Sequence, residues 1–415
     1  MKNIIILGGG QAGAYAAKEI RKNDTKSHLT MISEEKSLPY ERPPLSKDFL
    51  LEKINFEKLL FFPNEFYKEN KINVITDERI TKVDFKNKYL ISNKNNKFNY
   101  NKLLIATGST NIKLQLENLD QVVSEEIIYL RDANDSRKIK KRLKLAKKII
   151  IIGGGFIGLE IASAAAQLGK KVSVIEMAKQ LMGRVIPVQI ADIVQDIHEK
   201  KGNKFYLNTK IKKITKIDNS YEILLDTKVC LSADLIIVGI GSKPNTSIFT
   251  DNDLKIDNGI ITDEFCQTSI PDVYAAGDVS NFYHPFYGIN MRLESFKHAQ
   301  NHGNNAGKNI ANIKTLYKEI PWMWSDQFNL NLQMTGICNN YESFIQRGNN
   351  IEEGIVYFFI KNRKIRGACG LGVGGKIGRD IRLAGKISEK NIKVTKEILS
   401  DKNIKLNKLL NKEPL

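Results

Sequence analysis

Two glycine patterns are the residues of this sequence whose spacing points most directly to chemistry. They are Gly8-x-Gly10-x-x-Gly13 and Gly153-x-Gly155-x-x-Gly158. In such a pattern the first glycine permits a tight turn, the second lets the backbone approach a pyrophosphate, and the third lets a helix pack on a strand. The pyrophosphate then lies at a helix N-terminus, where free N–H groups and the helix dipole favour negative charge. One such pattern is a weak signal, but two in the same sequence context predict two bound dinucleotides.

The segments around both patterns form an internal repeat that supplies the elements a dinucleotide site needs. IIILGGGQAGAYAAKEI at 4–20 recurs as IIIIGGGFIGLEIASAA at 149–165. Each copy begins with β-branched apolar residues, bends through glycines and continues with helix formers, which predicts strand, turn and helix. A second predicted strand follows in each copy and leads to an acid, Glu34 or Glu176. We expect both acids to accept hydrogen bonds from adenosine ribose hydroxyls.

Glu176 also bears on the choice between the two nicotinamide dinucleotides. A carboxylate accepts hydrogen bonds from a 2′,3′-diol but repels a 2′-phosphate, a difference of ~1–3 kcal/mol. Lys179 and Arg184 lie close enough in sequence to weaken that repulsion. If the second dinucleotide is a nicotinamide dinucleotide, we expect it to be NADH rather than NADPH.

Metal and thiol sites are not indicated. The cysteines are widely separated and form no Cys-x-x-Cys pair, which argues against a zinc site, a protein-bound iron–sulfur cluster and a disulfide framework. We expect them to be small buried side chains. They are Cys230, Cys266, Cys338 and Cys369. The five histidines show no metal-ligand spacing on a convincing helix, so no metal ion is expected.

Other apolar segments predict where the sheets begin and end. Leu103–Ala106 and Leu235–Gly239 each end in turn residues, as strands that leave a sheet do, and we interpret them as crossing points between domains. A further buried strand is predicted to deliver Asp278. From about Ile320 the apolar pattern becomes shorter and alternating, which predicts an antiparallel sheet. Beyond Ser388 a lysine-rich amphipathic stretch predicts a helix.

The composition is that of a globular protein with an excess of positive charge. The chain has 415 residues, and 64 lysines and arginines against 46 acidic residues give a net charge of +18. Basic residues concentrate at 131–148 and at 361–386. The charge suggests an acidic partner, whereas a lysine-rich genome would spread charge over the whole surface. No apolar run approaches the roughly 18 residues of a membrane span, and Ile4–Leu7 is too short for the apolar region of a signal peptide, so we expect a cytoplasmic protein.

Several longer motifs, in the order in which they occur, are similar to those of one enzyme family. PYERPPLSKDFL at 39–50, LLIATGS at 103–109, VYAAGDV at 273–279 and PWMWSDQ at 321–327 occur in that order around the glycine patterns. Together they resemble the FAD-dependent ferredoxin reductases of bacterial oxygenase systems, over almost the whole chain. The PPLSK and WxWSD strings are more specific than either glycine pattern. Met323 stands where the common family string has an aromatic residue.

The resemblance implies an α/β fold with three domains. Two are Rossmann-like dinucleotide-binding domains, one for FAD and one for NAD, and the third is a C-terminal α+β domain with an antiparallel sheet. The FAD-binding domain is expected to be discontinuous, at 1–111 and 246–319. The NAD-binding domain would span 112–245 and the C-terminal domain 320–415. The internal repeat supports this partition independently.

The resemblance also implies contacts to FAD. The expected residues are Gly8, Gly10, Ala12, Gly13, Glu34, Arg42, Lys47, Ile80, Thr107, Gly108, Arg131, Asp278, Phe296 and Trp324. Some have simpler explanations: Phe296 as an ordinary buried aromatic, Ile80 as a core residue, Arg131 as a solvated charge and Asp278 as a helix N-cap. Phe296 is expected at the start of a helix whose N-terminus faces the flavin. Glu35 is a second candidate for the ribose.

Lys47 and Glu160 are the expected catalytic pair. The resemblance places the lysine beside the flavin N5 and the glutamate where the nicotinamide docks, as an ion pair that orients and tunes rather than abstracts a proton. Losing one partner would leave an uncompensated charge. Trp324 is expected at the flavin edge, and Trp322 is the better candidate for a core aromatic. The expected NAD contacts are Gly153, Gly155, Ile157, Gly158, Glu160, Glu176 and Gly241.

The resemblance finally implies an external electron acceptor. Residues 36–50 contain no cysteine, so the thiol chemistry of related disulfide reductases, oxidases and peroxidases is not expected. Electrons would leave one at a time to an acidic [2Fe–2S] ferredoxin that serves an oxygenase. The run at 361–386, kept flexible by its glycines, would help to dock this partner, while 131–148 would be a solvated helix face.

Alternatives to this acceptor remain open. Rubredoxin or a quinone could replace ferredoxin. A hypothesis of a different functional class is an NADH-sensing flavoprotein that binds nucleic acid, similar to apoptosis-inducing factor. Against it, no aromatic residues are interleaved with the basic runs, as they are in proteins that bind single strands. We expect a monomer or weak dimer that binds neither nucleic acid nor membrane.

Overall fold

The computed structural model describes residues 2–117, 119–183, 185–249 and 253–411. In chain order the helices are α1 (Gln11–Asn23), α2 (Asn64–Glu69), α3 (Gln121–Glu126), α4 (Ala133–Leu145), α5 (Phe156–Gln167), α6 (Val188–Lys200), α7 (Phe296–Ile310), α8 (Gly378–Glu389) and α9 (Lys396–Ser400). The strands are β1 (Asn3–Leu7), β2 (His28–Ile32), β3 (Ile72–Ile75), β4 (Ile80–Asp84), β5 (Tyr89–Ser92), β6 (Lys97–Asn99), β7 (Lys102–Ile105), β8 (Ser109–Asn111), β9 (Ile128–Tyr129), β10 (Lys148–Ile152), β11 (Lys171–Ile175), β12 (Lys204–Tyr206), β13 (Ile211–Ile217), β14 (Ser220–Leu225), β15 (Cys230–Ala233), β16 (Leu235–Val238), β17 (Ser242–Pro244), β18 (Ile260–Thr262), β19 (Val273–Ala275), β20 (Ser280–His284), β21 (Ile289–Met291), β22 (Trp322–Gln327), β23 (Leu330–Gly336), β24 (Ser343–Arg347), β25 (Ile355–Lys361) and β26 (Lys364–Val373).

The chain divides into two compact units. The first contains Met1–Glu41, Asn55–Thr110 and Ser242–Pro321. The second contains Arg42–Ile54, Asn111–Gly241 and Trp322–Leu415. The finer partition into FAD-binding, NAD-binding and C-terminal domains stays a prediction. None of the helices in the described ranges has the length and apolar character needed to cross a membrane.

The first unit is built on a parallel sheet in the order β19-β7-β1-β2-β3. The apolar run of β1 serves both faces of this sheet: Ile4 and Ile6 belong to one buried cluster, with residues of α1 and α7, and Ile5 and Leu7 to another. A strand buried on both faces reads as a continuous apolar run, which explains why β1 shows no alternation. Helices α1 and α7 pack closely because Gly303 has no side chain; a Cβ there would lie 2.3 Å from the Ala12 carbonyl oxygen.

The second unit repeats this arrangement. Its parallel sheet has the order β9-β16-β10-β11-β12. Strand β10, which leads into the glycine pattern, lies between β11 and β16, just as β1 lies between β2 and β7 in the first unit. In β10, Ile149 and Ile151 pack with α4 and α5, while Ile150 and Ile152 pack toward the sheet β13-β14-β15. The internal repeat of the sequence is therefore a repeat of the fold, and the expected pair of Rossmann-like sheets is confirmed.

The C-terminal segment forms an antiparallel sheet within the second unit, as the alternating pattern predicts. Its order is β22-β23-β26-β25-β24. One face packs on residues of α5 and α6, including Leu159, Ile190 and Val194. The other face packs on α8 and the chain that follows it.

Two expectations about the C-terminal chain need correction. The long amphipathic helix is α8, which ends at Glu389, and beyond Ser388 the described chain forms the short helix α9 and the 3₁₀ helix Leu406–Asn411 instead of one long helix. The irregular tail is instead held by Arg347, whose guanidinium donates to the carbonyls of Leu399, Asp401 and Ile404. Of the glycines expected to give flexibility, Gly370 and Gly372 lie in β26, where a Cβ on Gly370 would be 2.9 Å from a backbone oxygen of β25. These two allow close packing rather than motion, whereas Gly374 and Gly375 lie in the turn after β26, where a Cβ would meet no described atom within 4 Å.

Candidate functional site

The first glycine pattern forms an open cradle at the start of α1. Gly8 has φ +120°, and a Cβ there would lie 2.2 Å from the Ala106 carbonyl oxygen. A Cβ on Gly13 would lie 2.1 Å from the Gly8 oxygen. A Cβ on Gly10, however, would meet no atom of the described chain within 4 Å, and no described side chain caps α1 there. The protein's own packing requires the first and third glycines, whereas the second faces the space that a pyrophosphate needs.

The second glycine pattern has the same geometry at the start of α5. Gly153 has φ +105°, and a Cβ there would be 2.4 Å from the Gly239 oxygen. A Cβ on Gly158 would be 2.2 Å from the Gly153 oxygen, while one on Gly155 would meet only an atom 4.0 Å away. Ile157 is exposed on the first turn of α5. Both cradles can therefore accept a phosphate group in the same way.

Glu176 is fixed at the edge of the second cradle. Its two carboxylate oxygens accept hydrogen bonds from the backbone N–H groups of Gly154 and Ala178, both at 2.7 Å. Each oxygen keeps a second lone pair, which can accept a ribose hydroxyl. Arg184, which could weaken the selectivity of this carboxylate, lies outside the described residues. Gly241, the last residue of the segment Asn111–Gly241 of this unit, has φ +118°, and its carbonyl accepts a hydrogen bond from the N–H of Ile112.

Glu34 lies one residue further beyond its strand than Glu176 does. Ile32 accepts a hydrogen bond from the N–H of Gly8, as Ile175 does from Gly153, so the residue equivalent to Glu176 is Ser33. Glu34 lies one residue further along, with its side chain 68% exposed and 3.9 Å from Arg79 Nε. The adjacent Glu35 accepts a hydrogen bond from the Tyr40 hydroxyl at 2.5 Å.

Other residues assigned to FAD lie at strand ends of the first unit. The Thr107 hydroxyl donates to the Asn245 carbonyl, and the Asn245 amide donates to the Thr107 carbonyl, both at 2.9 Å. Gly108 follows with φ +69°. The Asp278 carboxylate accepts a hydrogen bond from the Ser109 hydroxyl at 2.9 Å. These bonds hold the turns after β7 and β19 together, so Asp278 has a defined direction.

The remaining first-unit assignments differ in accessibility. Ile80 is 4% exposed and packs in a core cluster, so only its backbone could touch a ligand. Phe296 begins α7, as predicted, with Ser295 as N-cap, and it is partly exposed. The Phe296 carbonyl accepts a hydrogen bond from the Gln11 side chain at 2.9 Å. Ala12 is buried under α7.

Four residues assigned to FAD lie in the second unit instead. They are Arg42, Lys47, Arg131 and Trp324. Arg42 Nη1 donates to the Arg131 carbonyl at 2.6 Å, just before the capping box with which Asp132 starts α4. This bond fixes the Arg131 backbone, and the residue as a whole is half-buried.

The structure brings Lys47 and Glu160 together as an ion pair. Lys47 Nζ lies 3.2 Å from Glu160 Oε1. Glu160 is 5% exposed, and it also accepts hydrogen bonds from the hydroxyls of Ser46 (2.5 Å) and Ser325 (2.6 Å). Burial raises the pKa of the Glu160 carboxyl, and the Lys47 ammonium and both hydroxyls oppose that rise. The buried carboxyl thus has donors on both oxygens.

Local sequence explains how these side chains are held. Pro43 and Pro44 start the 3₁₀ turn Pro43–Ser46, which ends directly before Lys47. The Leu45 carbonyl accepts a hydrogen bond from the buried Ser136 hydroxyl of α4 at 2.7 Å. Prolines limit the backbone conformations of this turn, so its position is rigid. The opposite partner, Glu160, comes from the buried helix α5.

Asp326 is a second partner of Lys47 that the sequence analysis missed. Its Oδ2 lies 3.5 Å from Lys47 Nζ and accepts the indole N–H of Trp324 at 3.0 Å. The Lys47 ammonium is also 5.4 Å from the centre of the Trp324 ring. The strand spacing of Trp324 and Asp326 inside the WxWSD string was the available signal, because residues two apart share a face.

Thiol and metal chemistry find no support in the described residues. Cys266, Cys338 and Cys369 are buried, and burial raises the pKa of each thiol, that of Cys338 to about 12. The expectation of buried cysteines holds for these three, whereas Cys230 is exposed. No group of three potential metal ligands occurs in the described part of the chain.

Comparisons with known proteins agree over nearly the full length. The profile of the family described as pyridine nucleotide-disulphide oxidoreductase matches residues 2–303, and the reductase C-terminal profile matches residues 322–410. The ferredoxin–NAD(+) reductase component of the 3-phenylpropionate/cinnamic acid dioxygenase of Photorhabdus laumondii is 34% identical, over 92% of this chain and 95% of that protein. The rubredoxin–NAD(+) reductase of Ectopseudomonas oleovorans is 33% identical, over 84% and 90%. The crystal structure of the ferredoxin reductase for the CYP199A2 system of Rhodopseudomonas palustris matches with a TM-score of 0.92 at 29% identity, over 98% of this chain and 99% of that one.

Proposed function

The chain belongs to the pyridine nucleotide-disulphide oxidoreductase family, and we propose that it passes electrons from NADH, through FAD, to a ferredoxin that serves an oxygenase. It is an NAD-dependent oxidoreductase with FAD as cofactor. The observation that carries the proposal is the pair of open glycine cradles, one in each unit, because electron transfer between two dinucleotides needs a site for each.

The residues of the first unit fit the FAD. The cradle at Gly10 leaves room for a pyrophosphate, and the start of α1, which no described side chain caps, favours its negative charge. Asp278, held by Ser109, would accept ribityl hydroxyls, and Glu34, exposed beyond β2, would reach the adenosine ribose. Bound FAD supplies the conversion of two-electron into one-electron chemistry, since it accepts hydride from NADH and releases electrons singly.

The second unit would hold NADH. The cradle at Gly155 accepts the pyrophosphate, and the Glu176 carboxylate accepts the ribose hydroxyls. Lys47 and Glu160 form the polar centre that we assign to the nicotinamide end. Since Ser46 and Ser325 fix the Glu160 carboxylate, the Lys47 ammonium is a cation with one defined position, which costs no reorganisation during the reaction.

A cationic face on α8 is the docking surface we assign to the ferredoxin. Arg379, Arg382 and Lys386 are exposed on one side of α8, while Ile381 and Ala384 are buried on the other. Within the described ranges these three cations have no ion-pair partner. We propose that this α8 cationic face, rather than a flexible loop, attracts an acidic [2Fe–2S] ferredoxin.

The acceptor is tested by offering alternatives to one reduced preparation. The protein is reduced anaerobically with NADH and mixed in turn with a [2Fe–2S] ferredoxin, a rubredoxin and a quinone. We expect ferredoxin to be reduced fastest. Faster reduction of rubredoxin would favour the reductase class represented by the Ectopseudomonas oleovorans relative, and reduction of the quinone alone would contradict the proposal.

A further inference from the structure

Asp326 connects two groups that the proposed function uses separately. One of its oxygens, Oδ2, accepts the Trp324 indole N–H at 3.0 Å and lies 3.5 Å from the Lys47 ammonium. The indole has a single N–H, so this bond uses its only donor. The same carboxylate oxygen therefore fixes the distance between the ring of Trp324 and the charge of Lys47.

The two carboxylates beside Lys47 have different roles. Glu160 is buried and needs the ammonium as a counter-charge, because an unpaired buried carboxylate is strongly unfavourable. The Asp326 side chain is 45% exposed, so water already solvates its charge. Charge compensation does not require Asp326 at this position, whereas its hydrogen bond to the indole joins the stacking of the Trp324 ring on Trp322, 5.3 Å between ring centres, in orienting Trp324.

The hairpin of β22 and β23 fixes Asp326 itself. Asp326 lies opposite Asn331, whose side-chain amide donates to Asp326 Oδ1 at 2.6 Å. The side-chain oxygen Oδ1 of Asn331 in turn accepts a hydrogen bond from the side-chain amide of Gln333 at 2.6 Å. With Oδ1 held by the neighbouring strand, Oδ2 points in one direction and can orient what binds to it.

We propose that Asp326 is a positioning residue that ties the indole of Trp324 to the Lys47–Glu160 ion pair, so that ring and ammonium keep one arrangement. The contacts that carry this inference lie within the second unit. Its consequence for catalysis rests on the proposed function, because that function assigns the Lys47–Glu160 pair to the nicotinamide end of NADH.

The direct test is solvent exchange of the indole N–H in the holoenzyme. The chain has two tryptophans, so the spectrum contains two indole N–H signals, and Trp322→Phe assigns them. In Asp326→Ala the Trp324 N–H should exchange about tenfold faster or more, since a hydrogen bond to a charged acceptor is lost. Asp326→Asn keeps an acceptor oxygen and should exchange at an intermediate rate. Asp196→Ala is the control, because Asp196 is an exposed partner of Lys200 on α6.

A double-mutant cycle tests whether Asp326 acts on the reaction through Trp324. Both Asp326→Asn and Asp326→Ala remove the charge beside Lys47, but only Asp326→Ala removes the acceptor of the indole. Flavin reduction by NADH should therefore be slower in Asp326→Ala than in Asp326→Asn. This difference between the two variants should vanish when Trp324→Ala is also present.

Either measurement can overturn the proposal. It fails if the indole N–H of Trp324 exchanges in Asp326→Ala at the rate seen in the Asp196→Ala control. It also fails if the difference in reduction rate between Asp326→Asn and Asp326→Ala is unchanged in the Trp324→Ala background. If NADH reduces no form of the protein, the proposed function fails, and indole exchange still decides whether Asp326 positions Trp324.

Discussion

A charge buried in a helix of small apolar side chains is the feature around which the second unit organises its chemistry. Glu160 lies in α5 between Leu159 and Ile161, both at most 1% exposed. A carboxylate in such surroundings is tolerated only with a cation and hydrogen-bond donors beside it, and Lys47, Ser46 and Ser325 provide them. The segment that carries Lys47 is thereby tied to α5.

Removing the ammonium should slow the reaction far more than it affects cofactor content. Lys47→Ala is expected to lower the rate of flavin reduction by NADH about a hundredfold, because a pre-oriented cation is lost and Glu160 remains buried without a counter-charge. Stopped-flow absorbance measures the rate, and the FAD content of the purified protein should stay near that of the wild type. Lys53→Ala, in the same segment but exposed beside Asp48, is the control. An unchanged reduction rate in Lys47→Ala would refute the assignment.

The choice of dinucleotide should depend on Glu176. In Glu176→Ala, kcat/KM for NADH should fall about tenfold to a hundredfold, since the ribose loses a charged acceptor, while NADPH loses a repulsive neighbour. The ratio of kcat/KM for NADH to kcat/KM for NADPH, measured in initial-rate assays, should therefore decrease. Glu199→Ala, which removes an exposed acid of α6, should leave the ratio unchanged. A wild-type preference for NADPH would contradict this account.

At this scale the sequence predicts residue types better than their partners. The glycines follow from the backbone geometry of a dinucleotide turn, so their spacing identifies them. Glu34 shows the limit, because it was expected to follow its strand directly, as Glu176 does, whereas the strand ladder places Ser33 there. Ser46 and Ser325 act through contacts with Glu160, which is far away in the chain, and no local pattern encodes such contacts.

At the scale of elements, buried histidines make both units sensitive to acid. His198 in α6 bonds to Gln327 and Asn203, and His298 in α7 bonds to the Tyr317 hydroxyl. Burial lowers the pKa of each of the two histidines to about 4. Both side chains must therefore remain neutral in the folded protein at pH values where the unfolded chain would already bind a proton.

The free energy of unfolding should fall as the pH drops from about 6.5 to about 4. In this window the unfolded chain gains protons that the folded chain does not, at a cost of roughly 3 kcal/mol for each of the two histidines. Urea unfolding followed at several pH values should show this slope, and His198→Gln or His298→Gln should each reduce it. His28→Gln, an exposed position, is the control. Equal slopes in all variants would show that the histidines are not responsible.

Elements with strong local signals are the ones that the sequence predicts well. The apolar runs of β1 and β10 and the N-cap at Ser295 each reflect forces within a few residues. The single helix expected beyond Ser388 is replaced by two short helical segments, and the chain around them is held by Arg347, a residue distant in sequence. Gly370 was misread as flexible because its role depends on β25, a neighbour in space.

At the scale of the whole molecule, the net charge of +18 raises the question of whether docking uses a local surface or the overall field. Reversing three charges of the α8 cationic face, with Arg379→Glu, Arg382→Glu and Lys386→Glu, should slow reduction of ferredoxin at low salt at least about tenfold. The reason is lost electrostatic attraction, so the difference from wild type should shrink as salt increases.

A matched triple variant separates the two explanations. Lys138→Glu, Lys141→Glu and Lys147→Glu change the net charge equally, at exposed positions in and just after α4. A local docking surface predicts little effect of this second triple variant. Equal slowing by both variants would show that only the overall charge matters, and no slowing by the α8 variant would remove the proposed surface.

The central claim is that one chain holds FAD and NADH in two separate cradles and passes electrons between them. Anaerobic titration of the purified protein with NADH, followed by flavin absorbance, tests it most directly. The account predicts about one FAD for each chain and full bleaching by about one equivalent of NADH, since each hydride carries two electrons. A protein that takes up no FAD on reconstitution, or a bound flavin that NADH does not bleach, would contradict it.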